Sequence, residues 1–94
     1  MKIYDKAKWQ IDGGVNKEVV IKHFEFIFCW LKERGLLSKI GEEIYNLGID
    51  EEISLNEEMV TREGATFLAA HYDELINKSQ YNIAVEKELL SKYD

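Results

Sequence analysis

The chain has no proline and only one cysteine, Cys29, in its 94 residues. Without proline, a helix stops only at glycine, at a capping residue or where its apolar period is lost. A single cysteine cannot form an intramolecular disulfide, and disulfides are rare in reducing compartments. We therefore predict a cytoplasmic protein whose stability comes from a hydrophobic core.

Long hydrophobic runs are also absent. The longest nearly apolar run, Phe24 to Leu31, spans eight residues and includes Glu25, whereas a helix needs about 20 apolar residues to cross a bilayer. The first residues lack the apolar core and the small-residue cleavage site of a signal peptide. These absences predict a protein with no membrane partner.

Groups for metal or covalent chemistry are few. His23 and His71 are the only histidines, and a zinc site needs three or four ligands at workable spacing. Cys29 lies six residues after His23, on a different side of the same predicted helix, so this histidine cannot activate it locally. We predict that Cys29 is a buried small hydrophobic residue and that His23 lies at the core edge, bonded through one ring nitrogen.

Motifs for cofactors are missing as well. The turn Asp12-Gly13-Gly14 precedes a helix, but it has neither the lysine of a phosphate-binding loop nor the spacing of a dinucleotide fingerprint. An enzyme built on His71, Tyr72 and Glu74 would lack a nucleophile, a metal cluster and a cofactor motif. The sequence therefore predicts no catalytic residue, no metal, no cofactor and no enzymatic activity.

Basic residues are nearly absent from residues 42–63, which hold eight acidic residues and one basic residue, a net charge of −7. Residues 1–41 carry +3, residues 64–94 carry −2 and the whole chain carries −6. Glutamates in the first turns of helices interact favourably with the positive end of the helix dipole. This interaction explains where the glutamates lie but not why lysines are missing. Such an acidic segment favours basic partners and argues against direct binding of nucleic acid.

The chain does contain helical periodicity, interrupted by glycine. A chain of this length buries one core, so we predict a single helical domain, 1–94, with helices throughout residues 16–94. Residues 1–15 show no helical periodicity and end in a glycine turn, which predicts an extended arm that could include a short strand pair. Tyr4 and Trp9 either staple this arm to the helices, which we favour, or form part of a partner surface. The predicted fold class is all-α, a three- to four-helix bundle with an irregular aromatic N-terminal arm.

Capping residues and apolar positions predict the helix bounds. We expect Asn16, Ser38 and Thr61 to begin helices over residues 16–34, 39–47 and 62–77, and a last helix over residues 81–92. The first of these helices is apolar almost all the way round, which is typical of a central helix. The connection at residues 49–60 is polar, but we expect its apolar residues to reach the core around one helical turn: Ile53, Leu55 and Met59.

Several landmarks resemble a family of small bacterial proteins of unknown function. They are the lead-in Tyr4-Asp5-Lys6-Ala7-Lys8-Trp9, the stretch from His23 to Trp30 followed by Leu36-Leu37-Ser38, and the later Glu63-Gly64-Ala65-Thr66-Phe67 and His71-Tyr72. Some members of this family lie beside polymorphic toxin systems, in which small proteins serve as immunity factors. The resemblance implies an immunity role but transfers no mechanism. The family pattern has a histidine after the lead-in tryptophan, where this chain has Gln10.

Together these features predict a small acidic protein-binding inhibitor, such as an immunity protein or a similar antagonist, that covers a basic groove of a toxin or nuclease. Its carboxylates would occupy the place of phosphates and steer association. The predicted partner-binding residues belong to the acidic segment: Glu43, Asp50, Glu51, Glu52, Glu57 and Glu58. The alternative is a homo-oligomeric scaffold, for example a homodimer, in which the basic arm of one copy docks on the acidic segment of another.

Overall fold

The structure, a computed structural model, describes every residue from Met1 to Asp94 and is mostly helical. Its elements in chain order are β1 (Ile3–Lys6), α1 (Ala7–Asp12), α2 (Lys17–Glu33), α3 (Lys39–Leu47), β2 (Ser54–Asn56), α4 (Arg62–Ser79) and α5 (Ile83–Leu90). Single 3-10 turns follow β2 at Glu57–Met59 and α5 at Ser91–Tyr93. The strict all-α class is wrong, because β1 and β2 form a two-stranded sheet.

Helix α2 lies at the centre of the core. Five of its apolar side chains have no exposed surface: Val20, Phe24, Ile27, Phe28 and Leu31. Their spacing of three and four residues forms a broad apolar face, and α1, α3 and α5 all pack against this helix. Trp30, on the same helix, packs on Phe67 of α4 with ring centroids 5.1 Å apart. The central position predicted for this helix agrees with its burial.

The sheet joins the N-terminal segment to the connection between α3 and α4. β1 pairs antiparallel with β2, with Ile3 opposite Asn56 and Lys6 opposite Ser54, and a bulge lies between Ile3 and Asp5. A bulge re-aims the side chains beside it, and the Asp5 side chain is buried at 3% exposure. A strand pair therefore exists, but its second strand comes from the connection at residues 49–60 and not from the arm.

That connection is partly as predicted. Ile53 and Leu55 are buried, and the expected helical turn is the 3-10 turn Glu57–Met59. The strand before this turn was not predicted, because three residues of β2 are too few to show a period of two. The polar segment between two helices is thus part of the core.

The N-terminal arm is not extended throughout. Residues Ala7–Asp12 form α1, which the sequence did not predict, because six residues are too few to show a helical period and Lys6 at the N-cap makes no side-chain cap hydrogen bond. Tertiary contacts hold this helix in place. Ala7 is fully buried, and its amide donates to the carbonyl oxygen of Ile53 at 3.1 Å.

The helix starts follow the predicted caps. Asn16, Ser38 and Thr61 each accept a hydrogen bond from a backbone amide two or three residues later, so α2, α3 and α4 begin within one residue of the expected positions. Helix α5 begins at Ile83 rather than at residue 81. Gln80 and Tyr81 have positive φ values of 52° and 65°, which no right-handed helix contains.

Two glycines let helices touch neighbouring backbone. A Cβ atom on Gly41 of α3 would lie 2.0 Å from the carbonyl oxygen of Met59, and one on Gly64 of α4 would lie 2.7 Å from the carbonyl oxygen of Leu36. Neither position can hold a side chain without movement of the backbone. These close approaches fix α3 against the turn after β2 and α4 against the loop before α3.

The Gly41→Ala variant tests the contact with Met59. Because the added methyl group would overlap a backbone carbonyl, we expect the free energy of unfolding to fall by about 1–3 kcal/mol. Urea unfolding followed by circular dichroism measures this change. Gly13→Ala is the matched control, since Gly13 has an ordinary φ of −78° and its nearest atom would lie 3.3 Å away. An equal loss in both variants would contradict the close approach at Gly41.

Candidate functional site

A chain of hydrogen bonds joins ionisable side chains inside the core. Nδ1 of His23 in α2 lies 2.5 Å from Oε1 of Glu86 in α5, and its Nε2 lies 2.7 Å from the Tyr72 hydroxyl of α4. Tyr72 donates to Oδ2 of Asp5 in β1 at 2.7 Å, and Tyr81 donates to the same oxygen at 2.9 Å. This buried network, of Asp5, His23, Tyr72, Tyr81 and Glu86, therefore connects four elements of the fold.

Asp5 is the acceptor at one end of the buried network. Its Oδ1 accepts hydrogen bonds from the Lys6 amide at 2.8 Å and from the Gln10 side chain at 2.9 Å. Its Oδ2 accepts from the two tyrosine hydroxyls. Four donors occupy all the lone-pair sites that an ionised carboxylate offers.

The other end of the buried network is the contact between His23 and Glu86. Tyr72 gives its only proton to Asp5, so Nε2 of His23 must donate to the Tyr72 oxygen. Nδ1 faces Oε1 of Glu86, while Oε2 of the same carboxyl group is buried without a hydrogen-bond partner. His23 therefore links Tyr72 to Glu86 through both of its ring nitrogens.

The turn between α4 and α5 brings Tyr81 into the buried network. Gln80 and Tyr81 both adopt left-handed backbone conformations, which cost about 1 kcal/mol or more for residues other than glycine. The turn places the Tyr81 ring edge-on to His23, with ring centroids 4.9 Å apart. The hydrogen bond from Tyr81 to Asp5 offsets part of the strain in this turn.

Burial and the Asp5 carboxylate raise the pKa of both tyrosines. Desolvation is the largest cause for Tyr72, and the charge and hydrogen bond of Asp5 add to it, so its pKa lies well above the ordinary 10.0. The same causes, in the same order, raise the pKa of Tyr81. Both hydroxyls are therefore protonated donors throughout the physiological range.

The buried network differs from the environment predicted for His23. His23 has no exposed surface and both its ring nitrogens are bonded, so its prediction as a core-edge residue bonded through one nitrogen is wrong. Its partners lie 49 and 63 residues further along the chain, and no local spacing could show them. Because His23 and Glu86 are both fully buried, no ligand contacts them in this conformation.

The six predicted partner-binding carboxylates lie around α3 and β2. Glu43 belongs to α3, residues 50–52 precede β2, and Glu57 and Glu58 follow it in the 3-10 turn. All six are exposed except Glu51, which is half-buried. Along the strand, the groups before and after β2 are separated by about 15 Å. We call this set of Glu43, Asp50, Glu51, Glu52, Glu57 and Glu58 the acidic surface.

Two members of the acidic surface pair within the chain. Nζ of Lys8 lies 2.9 Å from Glu52, and Nζ of Lys17 lies 3.2 Å from Glu51. The hydrogen bond and charge of Glu52 raise the pKa of Lys8. Such exposed pairs contribute little to stability. These two ion pairs do occupy two lysines of the basic N-terminal half. The alternative homo-oligomer would need those lysines for contact with a second copy.

The other four carboxylates form no ion pair in the chain: Glu43, Asp50, Glu57 and Glu58. Asp50 instead accepts a hydrogen bond from the Glu52 amide at 2.9 Å and so caps its own turn. The charge of Glu57 is felt by Tyr4, whose pKa is raised by burial first and by this glutamate second. The acidic surface therefore holds negative charge that the fold does not neutralise.

The three residues of the hypothetical enzyme all line one pocket between α4 and α5, but each side chain is bonded to a different partner. Tyr72 belongs to the buried network, Nδ1 of His71 faces the Tyr93 hydroxyl at 3.1 Å, and Glu74 pairs with Lys78 at 2.7 Å. This ion pair lowers the pKa of Glu74 and raises that of Lys78. Their side chains thus have separate structural partners.

Cys29 and the aromatic residues of the arm depart from prediction in part. Cys29 is half-buried rather than buried, and its Sγ donates to Glu33 at 3.3 Å. Tyr4 holds the arm to α4 as expected, since its hydroxyl donates to the carbonyl oxygen of Ala65 at 3.3 Å. Trp9 is 52% exposed, and its ring lies 5.6 Å from the Lys6 ammonium group. Trp9 therefore does not staple the arm.

Comparison with known proteins gives no relative from which a role could be transferred: no family model, no curated protein and no solved structure matches the chain. No group of three or more histidine, cysteine, aspartate or glutamate side chains is placed to hold a metal ion. No helix has both the length and the apolar character needed to cross a membrane. Any functional argument therefore depends on the side chains themselves.

A double-mutant cycle tests the coupling of His23 and Glu86. Removing one partner leaves the other buried without its hydrogen bond, so His23→Leu and Glu86→Leu should each lower the free energy of unfolding by about 3 kcal/mol. The double variant should lose less than the sum, by about 1–3 kcal/mol. Chemical unfolding measures all four proteins. His71→Leu combined with Glu86→Leu is the control and should be additive; additivity in the His23 cycle would refute the coupling of His23 and Glu86.

Alkaline unfolding tests the state of Tyr72. Its pKa is raised in the folded protein but ordinary in the unfolded chain, so above pH 10 the unfolded state loses a proton that the folded state keeps. The contribution of Tyr72 to the free energy of unfolding is therefore fully present below pH 10. Above pH 10 this contribution should fall by about 1.4 kcal/mol per pH unit. In urea unfolding at a series of alkaline pH values, Tyr72→Phe should show a shallower slope than the natural chain. Equal slopes in the two proteins would contradict the buried donor.

Proposed function

We propose that this protein is a small acidic inhibitor that binds a basic protein and covers its substrate groove, as an immunity protein covers the groove of a toxin or nuclease. The observation that carries the proposal is the uncompensated charge of Glu43, Glu57 and Glu58. These side chains are exposed, and none has an ion-pair partner in the chain. They are the members of the acidic surface whose side chains neither pair with a lysine nor cap a turn.

Like charges that lie close together repel one another, and only dissolved cations screen them in the free protein, over about 8–10 Å at physiological salt. A partner that brings lysine or arginine to this surface removes the repulsion and gains charge-assisted hydrogen bonds. The same field speeds association and orients the partner before contact. A rigid backbone supports the site, since β2 is paired with β1 and the 3-10 turn packs against Gly41 of α3.

This mechanism needs no catalytic group. The inhibitor would work by steric cover, with carboxylates at the places where the groove binds phosphates. Glu51 and Glu52 would contribute less than the other members, because Lys17 and Lys8 already neutralise them. The proposal thus ranks the six predicted residues: Glu43, Glu57 and Glu58 first, Asp50 next, and Glu51 and Glu52 last.

Charge reversal tests the proposal. Tagged protein incubated with lysate of its native host, at low and at moderate salt, should recover one basic protein in stoichiometric amount. The variant that combines Glu43→Lys, Glu57→Lys and Glu58→Lys should recover it at least about tenfold less well, because the attraction becomes repulsion. Mass spectrometry identifies and quantifies the captured protein, and circular dichroism checks that the variant is folded.

The control carries the same change of charge elsewhere on the surface. Glu18→Lys, Asp73→Lys and Glu88→Lys reverse three exposed acidic residues that also form no ion pair. This control should capture the partner nearly as well as the natural chain does. If the two triple variants lose the partner equally, net charge alone governs the binding, and if neither loses it, the acidic surface is not the binding site.

A further inference from the structure

Helix α3 exposes two large apolar side chains beside the acidic surface. Ile40 is 48% exposed, and Leu47, at 85%, is the most exposed large apolar residue of the chain. Ile44 lies between them and packs partly against the core. Burying exposed aliphatic side chains is favourable in proportion to their area, so these two residues are available to drive association.

Geometry places Ile40 and Leu47 on one side of the helix. They are seven residues apart, which is two turns and about 10.5 Å along the axis. Glu43 comes three residues after Ile40 and four before Leu47, so its side chain lies between them on the same side. We call Ile40, Glu43 and Leu47 the α3 ridge.

The side of α3 that holds the helix in the fold is a different one. Gly41 packs against the backbone of Met59, and the Tyr45 ring lies 5.4 Å from the Lys32 ammonium group of α2. Gly41 follows Ile40 by one residue and is therefore turned about 100° away from it. The α3 ridge thus contributes little to the core and leaves its surface free.

We propose that the α3 ridge is the anchor of the partner interface and that its occupant is a basic amphipathic helix of the partner protein. This inference rests on the proposed function, since it places the partner on the same carboxylates. Two apolar residues seven positions apart match the heptad repeat of a helix packed alongside. Helices that pack in this way lie about 8–10 Å apart, which brings the residues flanking the seam within reach of one another.

The acidic residues beside Ile40 and Leu47 determine which side chains the partner helix must carry. Glu43 lies within the ridge, and Ser38 at the N-cap of α3 donates to the carbonyl oxygen of Glu58 at 2.5 Å, which places the backbone of Glu58 beside the N-terminus of α3. An apolar partner surface would leave Glu43 buried and unpaired, which is costly. A partner helix with leucine-like residues along one face would bury Ile40 and Leu47, and lysine or arginine beside that face would pair with Glu43.

Titration with a defined peptide tests the ridge. The probe is a synthetic two-heptad helix with leucine at positions a and d and lysine elsewhere, and the control peptide has glutamine in place of leucine. Titrating either into isotope-labelled protein and following the amide signals by NMR gives the affinity and the binding site. We expect the leucine peptide to shift signals of α3 and of residues 57–59, and to bind more tightly than the glutamine peptide.

Variants separate the ridge from the charges. The Ile40→Gln, Leu47→Gln variant should bind the leucine peptide about tenfold more weakly, with no change for the glutamine peptide. Val19→Gln, which alters an apolar residue that is 41% exposed on α2, should change neither affinity. Unchanged affinity in the ridge variant, or shifted signals away from α3, would overturn the inference.

The same titrations distinguish this inference from the proposed function. If the Glu43→Lys, Glu57→Lys, Glu58→Lys variant loses both peptides while the ridge variant loses neither, the acidic surface binds and the ridge anchor is overturned. If the charge-reversed variant keeps both peptides while the ridge variant loses the leucine peptide, Ile40 and Leu47 bind without help from charge, and both the basic occupant and the electrostatic inhibitor are overturned. Loss in both variants supports the two together.

Discussion

The packing of both ends of the chain depends on one constraint, the satisfaction of the buried Asp5 carboxylate. A buried charge without partners is among the most destabilising features a fold can contain. Here donors arrive from β1, α1, α4 and the turn after α4, and each must be in place for the charge to be tolerated. The bulge in β1 and the strained turn at Gln80 and Tyr81 are both explained by this requirement, since they bring groups to Asp5 that regular structure would not.

The constraint extends to the surface through the sheet. The hydrogen bonds from Tyr72 to His23 and from His23 to Glu86 connect Asp5 to α5. The pairing of β1 with β2 connects it to the sheet. β2 carries acidic residues at both its ends, and Lys8 on the next element, α1, pairs with Glu52. The members of the acidic surface beside β2 are thus placed by the sheet that also positions Asp5. A rigid placement of this kind favours binding, because little conformational freedom is lost when a partner docks.

Features that depend on neighbouring residues, such as helix caps and apolar helix faces, could be predicted from the sequence. Asn16, Ser38 and Thr61 cap the helices expected after them, and α2 is as buried as its apolar pattern predicts. The features that were missed are all fixed by contacts distant in sequence. Helix α1 and strand β2 are too short to show a period, and the bonds from His23 to Tyr72 and Glu86 span most of the chain. The exposure of the carboxylates in the acidic surface could be predicted, but the pairing of Glu51 and Glu52 with lysines could not.

Several landmark residues of the sequence build the interior rather than the acidic surface. Asp5, His23 and Tyr72 belong to the buried network, Gly64 provides a close backbone approach, and Phe67 packs on Trp30. Gln10 donates an N–H to Asp5, so it too serves the buried network. The acidic surface is therefore separate from the residues that build the interior. A change at Glu43, Glu57 or Glu58 alters the surface charge without disturbing the buried charge on which the fold depends.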